Sequence, residues 1–518
     1  MEPSVVRFVL LIMYMYLRLT QAKNFQSYQA YPEFDNKVYI KEPLYSKTAV
    51  SLLSCSVLCG NGCNCFNFNL LTGMCLLFAS CNPLHACMTG SENGWRFFVD
   101  PSVMPNEHEE TGFIVLFMAH FNNTMKDIYF SSKKGAFMNI TTSSRLDHSL
   151  KQQIDKMITV PSSHHIIIPF AVELESFRKE VKSILIETCD DVFVVSHDYG
   201  QRTIGSTAIV PLNKLATHYV VISTEPATFR YKSQFAIAAL KNNTSVSITF
   251  KMQRYISLYV DGKSFLNGDV YNLTLDRFET YQISHETDLT GTVIESSVPI
   301  AVFSGNNCNK LENIGACDLL IQQIIPTREL DKTYIVPPNS NDRRTKVRIT
   351  ATESSNILYT INGITQTVTI NKLDSFDTII SSGQTCVIES NTPITVTSFG
   401  LHSSKSKMGD PSMTVVPGIN QYIDYYKTVV PSGFDYNYVT IMMKQSLKDS
   451  IRINNTMTNG SNIVFEENVS FMSLTYNVRS IRVPEGEISV STTCGEHFGL
   501  MFSGVKAYAA YGFSAILL

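Results

Sequence analysis

The hydrophobic pattern from about residue 110 onward consists largely of short runs of β-branched and aromatic residues, many alternating with polar ones, which is typical of β-strands. Examples are residues 235–239, 245–250, 256–260, 281–283 and 300–303. The pairs Asp261-Gly262 and Asn362-Gly363 lie between such runs, and both residue types tolerate the positive φ angles of a two-residue hairpin turn. The pattern therefore predicts an all-β region that contains hairpins.

The same region contains an internal repeat. Three segments align without gaps, and each begins with Ile-Glu and ends in serine: residues 186–196, 294–304 and 388–398. A proline landmark follows each segment, with a tyrosine eight residues beyond it: Pro211 and Tyr219, Pro326 and Tyr334, Pro417 and Tyr425. A fourth, degraded copy is expected around residues 498–504. A spacing of about one hundred residues fits the seven or eight strands of a β-sandwich. We therefore expect tandem β-sandwich-like repeats, with a β-propeller-like arrangement as the alternative, at about 110–230, 231–340, 341–432 and 433–518.

The first hundred residues have a different composition, since seven of the twelve cysteines lie within residues 55–87. The pattern predicts a helix over residues 46–59 and strands at residues 65–69 and 74–78. A core this small needs covalent cross-links. We expect a disulfide-rich α+β module over residues 23–100, separate from the all-β region.

Residues 1–22 predict a secretory signal peptide, because Arg7 precedes an apolar run of signal length and Thr20 and Ala22 suit cleavage. Arg18 ends that run short of the ~20 apolar residues that a transmembrane helix requires, and we expect no membrane span elsewhere. The mature chain is expected to be extracellular and secreted, with cysteines in disulfides. Eight sequons are then glycosylation candidates: Asn122, Asn139, Asn242, Asn243, Asn272, Asn454, Asn459 and Asn468.

Composition argues against two classes of protein. The 518 residues carry 42 Lys and Arg against 45 Asp and Glu, a net charge of −3. A near-neutral chain without a basic stripe does not fit nucleic-acid binding. Because 44% of the residues are hydrophobic, wholesale disorder is also excluded.

Several stretches of the repeat region carry a family resemblance. They are Asp288-Leu289-Thr290-Gly291 through Pro299 to Gly305, Cys317-Asp318 with Gln322, Gln323 and Pro326, Gly409-Asp410-Pro411-Ser412-Met413 with Val416, Pro417 and Gln421, and Ala510-Tyr511-Gly512-Phe513. Over roughly residues 110–518 the chain resembles the IgGFc-binding protein N-terminal domain family. The resemblance implies a secreted binding protein of mucus or body fluids and not an enzyme, and it carries over no individual binding residue.

A helix with Cys55 and Cys59, followed by strands with Cys65 and Cys75, resembles the PAN/apple module. That resemblance implies the disulfides Cys55–Cys75 and Cys59–Cys65, and a module that binds protein or carbohydrate partners. The chain departs from the pattern because it has no cysteine before the helix and carries a surplus, which permits a disulfide-linked dimer. The surplus cysteines are Cys63, Cys81 and Cys87.

Motifs of hydrolases, nucleotide-binding proteins and EF-hands are absent from the sequence, so we expect no catalytic residue, metal site or cofactor. His164 and His165 are neighbours in a predicted strand and point to opposite faces, which argues against a metal pair. Cys189 is interpreted as a turn residue and not as a nucleophile. Three recurring glutamates suggest a shared structural role, such as bonding backbone donors, and not a glycosidase pair: Glu187, Glu295 and Glu389.

Two further cysteine pairs are disulfide candidates. Cys308 and Cys317 would close a surface loop of the kind on which binding surfaces are built, and Cys386 and Cys494 would form a long-range pair. The sequence thus predicts a secreted glycoprotein that acts by non-catalytic adhesion or recognition of extracellular protein or glycan ligands, in mucus or innate defence. The alternative is a passive structural component of mucus or extracellular matrix.

Overall fold

The chain divides into two compact units, Met1–Glu110 and Thr111–Leu518. The computed structural model describes residues 28–39, 43–59, 63–79, 88–89, 93–100, 112–121, 124–200, 202–312, 317–403, 405–457, 460–471 and 474–514. The expected signal peptide, Cys81, Cys87, Asn122 and Asn459 lie outside the described residues. Within those ranges, no helix is long and apolar enough to cross a membrane.

The first unit is an α+β module. Its strands are β1 (Gln29–Ala30), β2 (Val38–Tyr39), β3 (Tyr45–Thr48), β4 (Cys65–Asn69), β5 (Met74–Phe78), β6 (Met88–Thr89) and β7 (Trp95–Val99). They form an antiparallel sheet in the order β1-β7-β4-β5-β3 beside a β2-β6 pair. Helix α1 (Leu52–Cys59) packs on β4 and β5. It begins later than predicted, because residues 45–48 pair with β5 and the Ser51 hydroxyl accepts a bond from the Ser54 amide, as an N-cap does.

Disulfides tie this helix to its surroundings. The structure contains Cys55–Cys75, the pairing that the PAN/apple resemblance implies. The implied Cys59–Cys65 pairing is wrong, since Cys59 is bonded to Cys63. The Cα atoms of Cys59 and Cys63 lie 5.0 Å apart, well within disulfide range. Cys65 is itself disulfide-bonded, but not to Cys59.

The second unit contains four antiparallel β-sandwiches, numbered 1 to 4 along the chain. Sandwich 1 contains β8 (Gly112–Val115), β9 (Met125–Ser132), β10 (Ala136–Thr142), helix α2 (His148–Ile154), β11 (Lys156–Val160), β12 (Ser163–Ile168), β14 (Ile184–Thr188), β15 (Val192–Gly200) and β16 (Thr203–Ala208), while the short β13 (Lys179–Glu180) pairs with sandwich 2. Sandwich 2 contains β17 (Ala216–Val220), β18 (Ser233–Ala239), β19 (Thr244–Thr249), the β20 (Leu258–Val260) and β21 (Lys263–Phe265) hairpin, β22 (Val270–Leu275), β23 (Thr280–His285), β24 (Val293–Asn309) and β25 (Asp318–Gln323).

Sandwich 3 contains β26 (Asp331–Val336), β27 (Arg343–Ala351), β28 (Ser355–Ile361), β29 (Ile364–Ile370), β30 (Ser375–Ile380), β31 (Cys386–Ser403) and β32 (Ser412–Val415). Sandwich 4 contains β33 (Tyr425–Val430), β34 (Tyr436–Lys444), β35 (Ile451–Ile453), β36 (Thr456–Met457), β37 (Ile463–Phe471), β38 (Leu474–Val483), β39 (Gly486–Thr492), β40 (Gly499–Lys506) and β41 (Ala509–Ser514). The predicted fold class, tandem β-sandwich-like repeats, is confirmed.

All four sandwiches share one topology. In sandwich 1 the two sheets run β8-β14-β10-β11 and β12-β9-β15-β16. The other three repeat this order, with one extra edge strand in sandwich 2 (β13) and one in sandwich 4 (β37). In sandwiches 2 and 3 a single long strand, β24 or β31, serves both sheets: its first half pairs in one sheet and its second half in the other. Pro299 and Pro393 lie where these strands change sheets, a position at which proline sacrifices no ladder donor.

The sandwiches close into a ring because each core is completed by the next sandwich. Core 1 includes Phe303 from sandwich 2, core 2 includes Phe399 from sandwich 3, core 3 includes Met442 from sandwich 4, and core 4 includes Phe193 from sandwich 1. The last strands, β16, β25, β32 and β41, contact one another around the centre. Each repeat has two sheets and not the single sheet of a propeller blade, so the units of the ring are sandwiches.

Residues of the family resemblance meet at this centre. The side-chain amide of Gln322 in sandwich 2 donates to Ser206 O (2.8 Å), Met413 O (2.8 Å) and Gly512 O (3.3 Å), one carbonyl in each of the other sandwiches. Asp318 accepts from the Thr203 hydroxyl at 2.7 Å and from the Ala510 amide at 3.1 Å. Burial and nearby Asp410 raise the Asp318 pKa well above its usual value. These motif residues therefore build the scaffold.

The first strand of sandwiches 2, 3 and 4 is held in place by a buried tyrosine. Its hydroxyl accepts a hydrogen bond from the backbone amide three residues earlier in the chain. The same hydroxyl donates to a backbone carbonyl of the same sandwich. The carbonyls are Ile300 O for Tyr219 (2.6 Å), Ile394 O for Tyr334 (2.6 Å) and Phe498 O for Tyr426 (2.7 Å). The predicted Tyr425 is wrong as the third member, because Gly418 adds one residue between Pro417 and the 3₁₀ turn Ile419–Gln421.

The predicted boundaries between the repeats need correction, because the strand that follows each proline landmark belongs to the next sandwich. Residues 216–220, 331–336 and 425–430 were expected to end repeats 1, 2 and 3. Their strands β17, β26 and β33 instead pair within sandwiches 2, 3 and 4. Sandwiches 2, 3 and 4 therefore each begin one strand earlier than predicted, just after a proline landmark.

Candidate binding surface at one end of sandwich 2

The most extended loops of sandwich 2 lie at one end. They are residues 221–232, 250–269, 286–292 and 310–317, which follow β17, β19, β23 and β24. Bonds from the Val221 and Lys251 amides to Thr292 (2.9 and 3.0 Å), and from the Asn307 amide to Lys232 O (3.0 Å), bring all four to the same end. We call these residues the loop end; 313–316 within it lie outside the described residues. Where sandwich 2 has residues 250–269, sandwich 3 has only Asn362-Gly363 and sandwich 4 only Asn454-Asn455. Loops lengthened on a rigid scaffold are common sites of recognition.

Three asparagines at the end of β24 hold the first loop in place. Asn306 accepts from the Thr224 amide (3.2 Å) and donates to Thr224 O (2.8 Å). Asn309 accepts from the Ala227 amide (3.2 Å), and Asn307 accepts from the Lys232 amide (2.7 Å). These side chains satisfy backbone groups that lie outside the β-ladder, so the loop is fixed along much of its length.

A buried arginine of sandwich 3 anchors the third loop. Arg348 Nη1 lies 2.7 Å from Asp288 Oδ2 and donates to Ser223 O at 2.8 Å, while its Nε and Nη2 bind Asp377 at 2.7 and 2.8 Å. Burial alone would raise the pKa of both carboxyls, but the guanidinium outweighs it and holds the pKa of Asp288 and of Asp377 below the usual value. The loop end is thus braced by an ion cluster between sandwiches 2 and 3.

The fourth loop is closed covalently. The structure contains the Cys308–Cys317 disulfide expected from sequence, with Cα atoms 5.3 Å apart. Asn309, next to Cys308, accepts the Leu311 amide at 3.1 Å. Both ends of this loop are therefore fixed to the scaffold.

Large aromatic side chains project from the loop end into solvent. Phe229 is 74% exposed, Tyr255 94% and Tyr259 68%. Strand alternation in the β20–β21 hairpin buries Leu258 and Val260 and leaves Tyr259 outside. Exposed aromatics on a braced surface resemble the anchor residues of protein interfaces and can also stack on flat ligand faces.

The hairpins themselves follow the sequence prediction. Asp261 and Gly262 have φ angles of 47° and 77°, and Asn362 and Gly363 have 51° and 73°. All four angles are positive, as the predicted two-residue turns require. Both turns are confirmed.

Two grooves elsewhere on the ring differ in the charge of their lining. One of about 450 Å³ lies on the outer sheet of sandwich 2, lined mainly by Ser, Thr and Asn with Glu295 as its one carboxylate. Another of about 470 Å³ lies between sandwiches 1 and 4 and includes Asp190, Asp191, Asp424, Lys133 and Lys214. In the described part of the chain, no three His, Cys, Asp or Glu residues are grouped as a metal site would require.

The other sequence candidates are dispersed. Glu187 accepts from the Asn139 amide group at 2.9 Å, and Glu295 lies 3.2 Å from His218 Nε2, so these glutamates pair with side chains and not with the backbone donors suggested by the sequence. Both histidines of the predicted strand lie in β12. Cys189 is disulfide-bonded and lies in the turn between β14 and β15.

The expected Cys386–Cys494 pair is wrong, because both thiols are free. Cys386 opens β31 and lies between Val336 and Ile361 inside core 3. Cys494 is exposed on sandwich 4, after β39. A thiol enclosed in one core cannot reach a thiol that faces solvent on the next sandwich.

Comparison with known proteins identifies related sequences. A family model described as IgGFc binding protein matches residues 205–504, from the last strand of sandwich 1 into β40 of sandwich 4. The IgGFc-binding protein of Homo sapiens is 22% identical over 320 residues, which are 61% of this chain. The chain spans 6% of the length of that curated relative.

Solved structures give weaker similarities. The major pilin from Streptococcus pyogenes is 8% identical, covering 58% of this chain and 99% of the pilin, with a TM-score of 0.13. An ice-binding adhesin of an Antarctic bacterium is 9% identical, covering 79% of this chain and 98% of the adhesin, with a TM-score of 0.11. At such TM-scores neither structure informs the fold or the function of the chain.

Proposed function

Because the chain belongs to the IgGFc-binding protein family, we propose that it is a secreted, non-catalytic recognition glycoprotein that binds extracellular protein or glycan ligands through the loop end. The family supports a binding role. The human relative is named for binding the Fc part of immunoglobulin G, so a protein ligand is one of the two classes proposed here. The first unit, an apple-like module, is proposed as a second site for protein or carbohydrate partners.

The observation that carries this proposal is the unequal elaboration of otherwise matching sandwiches. Sandwiches 3 and 4 turn in two residues and sandwich 1 has residues 143–155 with α2 at the position where sandwich 2 has the longest connection, residues 250–269. Scaffold stability does not require such a loop, since sandwiches 3 and 4 fold without it. The exposed aromatics Tyr255 and Tyr259 lie on this added loop, and Phe229 lies on residues 221–232 at the same end, where a ligand can reach them.

The distribution of carboxylates supports a role in binding and not in catalysis. Glu187, Glu295 and Glu389 each lie on a different sandwich, in β14, β24 and β31. A glycosidase needs two carboxyl groups within about 5–10 Å of one scissile bond. Repetition across the ring is better explained by the common fold than by a shared reaction centre.

Disulfides and sequons support the extracellular setting. Cys55–Cys75 and Cys308–Cys317 are bonds typical of oxidising compartments. Asn242, Asn272 and Asn468 are exposed on the ring, as glycan attachment requires.

The test uses the secreted full-length protein and two named probes: a printed glycan array and immobilised immunoglobulin G Fc fragment. The variant Phe229→Ser/Tyr255→Ser/Tyr259→Ser removes the aromatics of the loop end. A matched control, Met157→Ser/Ile167→Ser/Ile364→Ser, removes three apolar side chains that are 64%, 61% and 66% exposed elsewhere on the ring.

We expect saturable binding to at least one probe, with normal affinity in the control. Loss of anchor aromatics costs about 2 kcal/mol or more, so the variant should bind at least ~30-fold more weakly. Equal binding by variant and control would contradict the proposed surface. A failure of every probe to bind saturably would instead favour the passive structural component of mucus or matrix.

A further inference from the structure

Sandwich 1 encloses a lysine among acidic side chains. Lys126 lies on β9 directly opposite Asp198 on β15, and its Nζ is 3.0 Å from Asp198 Oδ2. The same Nζ lies 2.7 Å from Glu173 Oε2 and 3.0 Å from Thr124 Oγ1. The three-residue cluster of Lys126, Glu173 and Asp198 therefore brings one amine against two carboxyl groups.

This cluster is almost completely withdrawn from water. The side chain of Lys126 is 0% exposed, that of Asp198 2% and that of Glu173 13%. The rings of Phe117 and Phe170 lie 5.6 and 5.1 Å from the ammonium. Separated charges are unfavourable in such surroundings, and burial raises the pKa of Glu173. Both effects favour the transfer of a proton from the ammonium to a carboxyl group within the cluster.

The two oxygens of the Asp198 carboxyl differ in their hydrogen-bond partners. Its Oδ2 contacts Lys126, whereas Oδ1 is buried with no hydrogen-bond partner in the part of the chain that the structure describes. Glu173, by contrast, is held by the His120 amide at 3.1 Å on its other oxygen. The amine thus faces a carboxyl carbon with one free oxygen, and a fixed carboxyl group stands beside both.

We propose that Lys126 and Asp198 condense into an intramolecular amide bond across β9 and β15, with Glu173 as the proton carrier. One proton first passes from the ammonium through Glu173 to Asp198, which gives a neutral amine and a neutral carboxylic acid. The amine nitrogen then attacks Cγ of Asp198. Glu173 takes one proton from the nitrogen and delivers it to the departing hydroxyl, so that a C–N bond forms, a C–O bond breaks and one water leaves.

Proximity and burial both favour this reaction. Two groups fixed at contact distance react with effective molarities far above any free concentration, up to about 10⁵–10⁸ M. Condensation replaces two buried ions by one neutral amide, and no oxidant or cofactor is needed. Glu173 is unchanged at the end, because it returns each proton that it accepts.

The ring offers an internal control. Lys427 is also buried, and its Nζ lies 3.0 Å from Glu487 Oε1. Its other bonds go to Ser132 O and Ser162 Oγ, and no second carboxylate contacts it among the described residues. Without a proton carrier, Lys427 should stay unlinked in the same molecule.

The test is peptide mapping of the secreted, reduced and deglycosylated full-length protein. We expect one branched peptide that contains Lys126 and Asp198 and weighs one water less than the two linear peptides together, and no such peptide for Lys427 and Glu487. Trypsin should leave the bond after Lys126 uncut. Recovery of both peptides in linear form from folded wild-type protein would overturn the proposal by itself.

Variants test the role of each group. Lys126→Met should remove the branched peptide entirely, and Glu173→Gln should reduce its yield at least tenfold. If Glu173→Gln is not secreted, Glu173→Asp, which keeps a carboxyl group but shortens its reach, should slow the linkage in a time course after synthesis. A full yield in any folded Glu173 variant would refute the proton-carrier role.

Discussion

The amide of Gln322 at the centre of the ring provides a quantitative test of the scaffold. It donates to carbonyls at 2.8, 2.8 and 3.3 Å, and each belongs to a different sandwich. A side-chain amide has only two N–H groups, so two carbonyls each accept one N–H, and the third carbonyl competes for an N–H that is already bonded. The substitution Gln322→Ala would leave two buried carbonyls without this donor.

Each unsatisfied buried group costs about 1–3 kcal/mol, which predicts a loss of about 2–6 kcal/mol in the free energy of unfolding. Urea unfolding followed by circular dichroism measures this loss. Gln152→Ala, at an exposed glutamine on α2, is the matched control and should change the free energy by less than about 0.5 kcal/mol. If both variants unfold at the same urea concentration, the amide does not join the four sandwiches.

Three further outcomes are expected. Tyr426→Phe should lower the free energy of unfolding by about 1–2 kcal/mol, whereas Tyr425→Phe should leave it nearly unchanged; a larger effect at Tyr425 would restore the spacing predicted from sequence. The two aspartates that bind Arg348 have lowered pKa values, so their stabilisation is complete above an unfolded-state pKa near ~4 and disappears as pH falls through the lower folded values. Urea titrations should show stability falling below about pH 4, less steeply in Arg348→Met, and an unchanged slope would contradict the cluster. Native protein should react with a thiol reagent at Cys494 and not at Cys386, whose pKa burial raises to about 12; Cys494→Ser should abolish any disulfide-linked dimer on non-reducing gels.

Local features of the fold could be predicted because neighbouring residues determine them. The two hairpin turns depend on Asp-Gly and Asn-Gly pairs alone. Strands β4 and β5 were predicted with their observed bounds, since alternation and flanking turn residues both lie within a few positions. The repeat was visible because sandwiches 1, 2 and 3 share the same Ile-Glu entry and proline landmark.

The ring could not be predicted because its contacts join residues far apart in sequence. Gln322 meets carbonyls of residues 91 and 190 positions away, and no local pattern indicates such partners. The sequence predicts Tyr425 in place of Tyr426 because one inserted glycine, Gly418, moves the buried tyrosine of sandwich 4 one position further from its proline landmark. Cys59 pairs with Cys63 because the distance between their Cα atoms in the fold decides the pairing, and the family pattern does not contain that distance.

The sequence indicated one loop of the loop end, between Cys308 and Cys317, but the other three were missed although a signal for the longest existed. The distance between the strands that end near Thr249 and begin near Val270 is far greater than the Asn362-Gly363 gap in the next repeat. Aligning the repeats strand by strand would have exposed this difference. Phe229, Tyr255 and Tyr259 could not be assigned from sequence, because isolated aromatics are more often buried than exposed.

The residues that stabilise the ring are distinct from the residues that contact a ligand, and one binding measurement tests this distinction directly. Gln322→Ala and Phe229→Ser/Tyr255→Ser/Tyr259→Ser are titrated on the same immobilised probe, with concentrations corrected for the folded fraction. We predict an unchanged Kd for Gln322→Ala and a Kd at least ~30-fold higher for the aromatic variant. The reverse result, in which the central amide controls affinity and the aromatics do not, would contradict this distinction.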